Sequence, residues 1–90
     1  MDNIDVTTTV SEEAIKIAIE TFDKNAGLGI PCEEYVYHDA LEFAAHDAFV
    51  HDGYKYEGHM DEDPTYNAYY YIVSAAIYEL DQKLLKENRK

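Results

Sequence analysis

The 90 residues contain no tryptophan, one cysteine, two prolines, four glycines and only seven lysines and arginines. Each scarcity excludes something. A lone thiol, Cys32, cannot close an internal disulfide, so the chain is no disulfide scaffold and suits a reducing compartment. No run of about eighteen apolar residues occurs, so nothing reads as a membrane span. The start, Met1-Asp2-Asn3-Ile4-Asp5, lacks the basic head and apolar stretch of a secretory signal, which predicts a cytoplasmic protein. There is no P-loop, no nucleophile elbow, no paired-cysteine metal site and no His-Glu-x-x-His pattern. The expectation is a protein that is not an enzyme and needs no cofactor.

Acidic residues are abundant. Nineteen Asp and Glu face the seven cations, for a formal net charge of −12. Four of those cations (Lys83, Lys86, Arg89, Lys90) fall in the last ten residues; up to Leu80 the balance is 3 − 17 = −14. Such a surface repels nucleic acid and anionic membranes and attracts basic surfaces. High charge can also mean disorder, but nine tyrosines, three phenylalanines and periodic aliphatics argue for a folded chain. The length fits one domain.

Hydrophobic periodicity predicts an all-α fold, a small three-helix bundle with an acidic loop between helices two and three. Residues 1–9 read as a tail or short edge strand, and 10–88 as the helical domain. Helix one is expected from Val10 to Ala26, opened by a Thr9/Glu12 capping box and closed by Gly27 and Gly29, with Ala14, Ile15, Ala18, Ile19 and Phe22 inward. Helix two is expected from Pro31 to His51, with Val36, Ala40, Leu41, Phe43, Ala44 and Ala48 as its apolar face. Its Tyr35-Val36-Tyr37 start also suits a strand. Residues 52–63 read as a loop. Helix three is expected from Pro64 to Glu87, with Asp63 as N-cap and Tyr66, Tyr69, Tyr70, Val73, Ala76, Ile77, Leu80 and Leu84 inward.

From Glu33 to Asp63 there are ten acids and one lysine. Acids spaced along a helix and its following loop can approximate a row of phosphates; the bland alternative is a solvated surface that aids solubility. The partner-binding candidates are Glu34, Asp39, Glu42, Asp52, Tyr54, Tyr56, Glu57, Asp61, Glu62 and Asp63, with Tyr71 and Tyr78 on the far side of helix three. Tyrosine brings apolar area and a hydroxyl to an interface. Tyr71 and Tyr78 sit seven residues apart, with Leu85 seven further on, either half-buried by the N-terminal tail or forming a dimer or partner face. Glu34, His38, Glu42 and His46 step by four along one stripe, which reads as pH-sensitive and solvated, or as a metal site pairing His38 with Glu42. Cys32 reads as a small packed residue near a helix start, or as a reactive thiol.

Residues 22–34, Phe-Asp-Lys-Asn-Ala-Gly-Leu-Gly-Ile-Pro-Cys-Glu-Glu, resemble an EF-hand loop. Asp23, Asn25, Ile30 and Glu34 match loop positions one, three, eight and twelve, and the resemblance makes Asp23, Asn25 and Glu34 divalent-ion ligand candidates. Leu28 stands where the turn needs glycine, and Gly27 where a ligand is usual.

In size, acidity and tyrosine content the chain resembles the small acidic proteins that phages use against restriction or CRISPR enzymes, and equally nuclease immunity proteins and antitoxins. There is no motif match, so the resemblance carries over no functional residue. It implies an inhibitor, acting in the cytoplasm of the host cell if phage-encoded. Such an inhibitor would occupy the basic nucleic-acid-binding surface of a nuclease or effector, without binding nucleic acid or membrane itself. Self-assembly through helix three, as a homodimer, is the alternative.

Overall fold

The computed structural model describes residues 4–57 and 62–88. Three helices follow one another: α1 (Glu12–Ala26), α2 (Glu34–His51) and α3 (Pro64–Asn88). Among the described residues there is no strand, and the whole is a small all-α bundle with extents of 41 × 25 × 21 Å. α2 is the middle element; it packs most closely on α1, then on α3, while α1 and α3 touch least.

Alanine explains the close α1–α2 pair. Ala14 and Ala18 on one helix and Ala40, Ala44, Ala45 and Ala48 on the other are buried, so the backbones approach with little side-chain bulk between them. The volume of the core comes from Phe22, Phe49, Tyr69, Val73 and Ile77, all essentially without exposure. Burying such a side chain is worth about 1.5–3 kcal/mol. Phe49 meets Tyr66 and Tyr69 edge-on, with ring centroids 5.3 and 5.4 Å apart, and Phe22 meets Tyr37 edge-on at 5.3 Å.

The helix ends are set by local chemistry, and two helix starts depart from expectation. α1 begins at Glu12: Ser11, not Thr9, is the N-cap, its hydroxyl accepting from the Ala14 amide at 3.1 Å. Gly27, at φ +80°, ends α1 with its amide on the Asp23 carbonyl. α2 begins at Glu34 instead of Pro31. The Gly29 amide donates to the buried Asp81 carboxylate on α3 at 2.8 Å, so Ile30–Glu33 are used in crossing from one helix to the next. Tyr35, Val36 and Tyr37 are helical, not extended.

α2 ends at His51, as expected, and the chain leaves it through a Schellman motif. Gly53, at φ +96°, donates to the Val50 carbonyl at 3.0 Å, and Tyr54 donates to the Phe49 carbonyl at 3.3 Å. The accompanying apolar contact is the Tyr54 ring stacked on Phe49 at 4.9 Å and 15°. α3 opens as expected, with the Asp63 carboxylate accepting from the amides of Thr65 and Tyr66.

The described part of residues 1–9 forms a turn in place of an edge strand. Asp5 Oδ1 accepts from the Thr7 amide and hydroxyl, and the Asp5 amide donates to the Pro64 carbonyl, fastening the segment to the start of α3.

Phe43 and Cys32 depart from expectation as well. Expected in the core, Phe43 is 54% exposed. The inward side of α2 is the alanine side, completed by Leu41 and Phe49, and Phe43 lies opposite it. Cys32, expected to be packed, is exposed.

Candidate functional site

The outer side of α2 is the candidate site. Tyr35, Asp39, Glu42, Phe43, His46 and Val50 recur at steps of three and four, so they share one helix face. Apart from the half-buried His46, all are exposed, and Tyr35 reaches 67%. α2 contains no Lys or Arg, so no cation on the helix itself offsets Glu34, Asp39, Glu42 and Asp47. Acidic groups and large apolar side chains therefore alternate on one unpaired face.

Neighbouring elements fix its margins. On the α1 side the Thr21 hydroxyl donates to Asp47 Oδ2 at 2.6 Å. On the α3 side Glu42 lies near enough to the Tyr66 and Tyr70 phenols to oppose their ionisation; burial is the larger cause raising both tyrosines above their ordinary pKa. At the C-terminal end Tyr56 lies over His46, ring centroids 4.1 Å apart, and meets Tyr66 edge-on at 5.5 Å. At the N-terminal end His38 and Glu34 approach to 3.6 Å, a weak, exposed, i to i+4 pair.

The predicted site residues separate into groups. Glu34, Asp39 and Glu42 are exposed on α2. Glu57 and Glu62 are exposed beyond it, with Glu57 3.7 Å from Lys55. Asp61 lies outside the described residues. Tyr54 and Tyr56 turn one side of each ring onto the bundle and leave the remainder exposed. Tyr71 and Tyr78 are exposed on α3, on a separate face.

Asp52 and Asp63 act inside the fold. Asp63 caps α3 as described. Asp52 joins all three helices: Oδ1 accepts from the Ser11 hydroxyl at 2.5 Å, and Oδ2 from the Ser11 amide at 3.0 Å and the Tyr69 hydroxyl at 2.6 Å. Desolvation raises the Asp52 carboxyl, but the bonds from Ser11 and Tyr69 together outweigh it and hold the group below the usual carboxylate range. Both oxygens are engaged within the fold.

The EF-hand likeness does not carry into three dimensions. Asp23 and Asn25 lie within α1, not in a loop. Asp23 Oδ1 accepts from the Leu28 amide at 2.9 Å, and the Asn25 amide group donates to the Thr21 carbonyl at 2.7 Å. Glu34 is in α2, beside His38. Among the described residues no group of three or more His, Cys, Asp or Glu side chains is placed to hold a metal ion.

No protein-family model, curated protein or solved structure matches this chain. The site therefore has to be read from its own chemistry. Sequence reasoning missed Tyr35, Phe43 and Val50, the apolar half of the face. The available signal was the alanine stripe: once Ala40, Ala44 and Ala48 are taken as the inward line, Phe43 and Val50 must point away. No described helix is long and apolar enough to cross a membrane.

Proposed function

We propose that this protein binds a basic protein surface through the outer face of α2 and the segment that follows it, and inhibits by keeping nucleic acid off that surface. The observation that carries the reading is the alternation of Asp39 and Glu42 with Tyr35, Phe43 and Val50 on a helix without a single Lys or Arg. Carboxylates take the place of phosphates opposite Lys and Arg of the target. Exposed aromatic and aliphatic side chains supply the desolvated centre that charge alone does not give. Glu57 and Glu62 extend the acidic track past the helix end. The net charge of −12 draws a cationic partner in from a distance and disfavours direct contact with DNA or RNA. Nothing in this reading calls for catalysis or a cofactor.

The test uses the intact chain and a triple variant, Asp39→Asn, Glu42→Gln and Phe43→Ala, each immobilised and exposed to native-host lysate at low salt. A protein retained by the wild type alone is purified, and its binding to labelled DNA is followed by anisotropy with and without this chain. Displacement of DNA by the wild type, weakening as salt rises, supports the reading. Equal retention by both chains, or an affinity that does not change with salt, overturns it.

A further inference from the structure

Two rings on the outer face of α2 are placed unlike those next to them. Tyr54 and Tyr56 each lay one side of the ring on the bundle. Tyr35 and Phe43 do not: both are more than half exposed, and among the described residues neither meets another ring. Asp39 stands midway between them, four residues after Tyr35 and four before Phe43. The three therefore form one slanting row on the helix, with about 5–6 Å between successive Cβ atoms. Asp39 is exposed, and among the described residues it has neither a hydrogen bond nor an ion pair. The row is thus a bare carboxylate with an uncommitted ring on either side. Glu42 places a second carboxylate beside it, towards Tyr66 and Tyr70.

The chemistry of this row limits what can cover it. An apolar surface would bury Asp39 without a counter-charge. An anionic one is repelled by Glu34, Asp39, Glu42 and Asp47, on a helix with no Lys or Arg. Between the two cationic side chains the rings decide. A lysine ammonium is a compact, strongly hydrated point charge, which gains from the carboxylates and little from the rings. An arginine guanidinium is planar and weakly hydrated; it pairs bidentately with a carboxylate and lays its flat face on an aromatic ring. Asp39 supplies the fork, and Tyr35 and Phe43 supply the planes.

We propose that the α2 face recognises arginine in preference to lysine, with a guanidinium of the partner paired to Asp39 and stacked on a ring that flanks it. This names the partner side chain at the face already read as meeting a basic surface, and it rests on that reading. Asp39 gives affinity for either cation; Tyr35 and Phe43 give the selectivity. Arginine is also the side chain that holds phosphates bidentately, so the preference falls on the groups that nucleic acid would otherwise occupy.

Two short Gly-Ser peptides of equal length and charge, one with arginine and the other with lysine as its cations, are titrated into the intact chain at low salt. Calorimetry reads affinity, and backbone amide shifts in nuclear magnetic resonance read location. The arginine peptide is expected to bind about tenfold more tightly, with shifts centred on Tyr35, Asp39 and Phe43. Tyr35→Leu with Phe43→Leu keeps apolar bulk and helix propensity, and should lower the arginine affinity to the lysine value while leaving the lysine affinity unchanged. Should that variant lose helicity by circular dichroism, Phe43→Ala alone takes its place. Asp39→Asn weakens both peptides. Equal affinity for the two peptides overturns the preference and leaves α2 as a face for basic surfaces. A preference that survives the loss of both rings overturns their role in it. Binding of neither peptide, or shifts centred away from α2, overturns the preference and the reading beneath it together.

Discussion

The Tyr69 hydroxyl lies 2.6 Å from Asp52 Oδ2, on a carboxylate that also receives both the hydroxyl and the amide of Ser11. Asp52 is the C-cap of α2, Ser11 the N-cap of α1, and Tyr69 a buried residue of α3. One side chain thus holds three helix positions in register. Asp52→Ala removes three hydrogen bonds to a charged acceptor and leaves the Tyr69 hydroxyl only the long 3.5 Å bond to the Thr9 carbonyl, at an expected cost of about 2–3 kcal/mol in urea unfolding. Tyr69→Phe alone costs about 1 kcal/mol, since the carboxylate keeps Ser11. The two losses are not additive: the Tyr69→Phe effect shrinks in the Asp52→Ala background, and a double-mutant cycle measures by how much.

Acid should act on the same group. The folded pKa of Asp52 is lowered, so the folded state binds its proton less readily than the unfolded chain does. Its stabilising contribution is complete above the unfolded carboxylate value, about 3.9, and is lost as pH falls through the folded value beneath it. Asp5 is lowered as well, first by the Thr7 hydroxyl and then by the Thr7 amide, and acts in the same direction. The measurement is the stability difference between wild type and Asp52→Asn as a function of pH. That difference is constant near neutrality and narrows below about pH 4. Using the difference cancels the relief of general acidic repulsion that both proteins share.

The glycine stops separate backbone strain from crowding. Both Gly27 and Gly53 have positive φ, and a Cβ in that region costs about 1–2 kcal/mol. A Cβ on Gly53 meets nothing within 4 Å, so Gly53→Ala shows the strain alone. A Cβ on Gly27 comes to 3.0 Å from Ile30 Cδ1, the flexible end of an exposed side chain. Gly27→Ala is therefore expected to cost slightly more than Gly53→Ala in thermal unfolding, and Ile30→Ala to erase the excess while leaving the strain.

How far such features were legible in the sequence depended on whether their determinants were local. Asp63-Pro64 was readable because an N-cap and a first-turn proline act within four residues. Gly27 was readable for the same reason. Ser11 was not, because Thr9 offers the same hydroxyl two residues earlier, and Asp52, distant in sequence, fixes Ser11 in place. Asp52 itself looked like one more loop acid, since Ser11 and Tyr69 lie 41 and 17 residues away from it. α2 carries apolar residues on both sides, so periodicity alone gives one broad apolar face that takes in Phe43 together with the alanines. The acidic half of the candidate face was legible from composition. Its apolar half required knowing which side of α2 meets α1.

Two buried hydroxyls offer a gain. The oxygens of Tyr37 and Ser74 have no hydrogen-bond partner among the described residues. A buried polar group left unpaired costs about 1–3 kcal/mol, so its removal at constant shape should stabilise. Ser74→Ala is expected to raise the melting temperature; each 1 kcal/mol is worth about 4–8 °C in a domain of this size. Tyr37→Phe keeps the edge-on contact with Phe22 and should act in the same direction. Calorimetry reads both, and a fall in either would mean that the hydroxyl is bonded.

The orientation of α2 underlies the proposed function, and two substitutions one residue apart test it. Phe43 is 54% exposed and Ala44 is fully buried in the core. Phe43→Ala should change stability by no more than about 0.5 kcal/mol, as expected of a surface position. Ala44→Leu must force bulk into a close helix contact and should cost about 1–3 kcal/mol. If α2 were turned the other way the order would reverse: Phe43→Ala would open a cavity worth about 3–5 kcal/mol and Ala44→Leu would be tolerated. Urea titration of the two variants separates these cases without knowledge of any partner. Only the first leaves Phe43 beside Asp39 and Glu42 on a surface that a basic protein can reach.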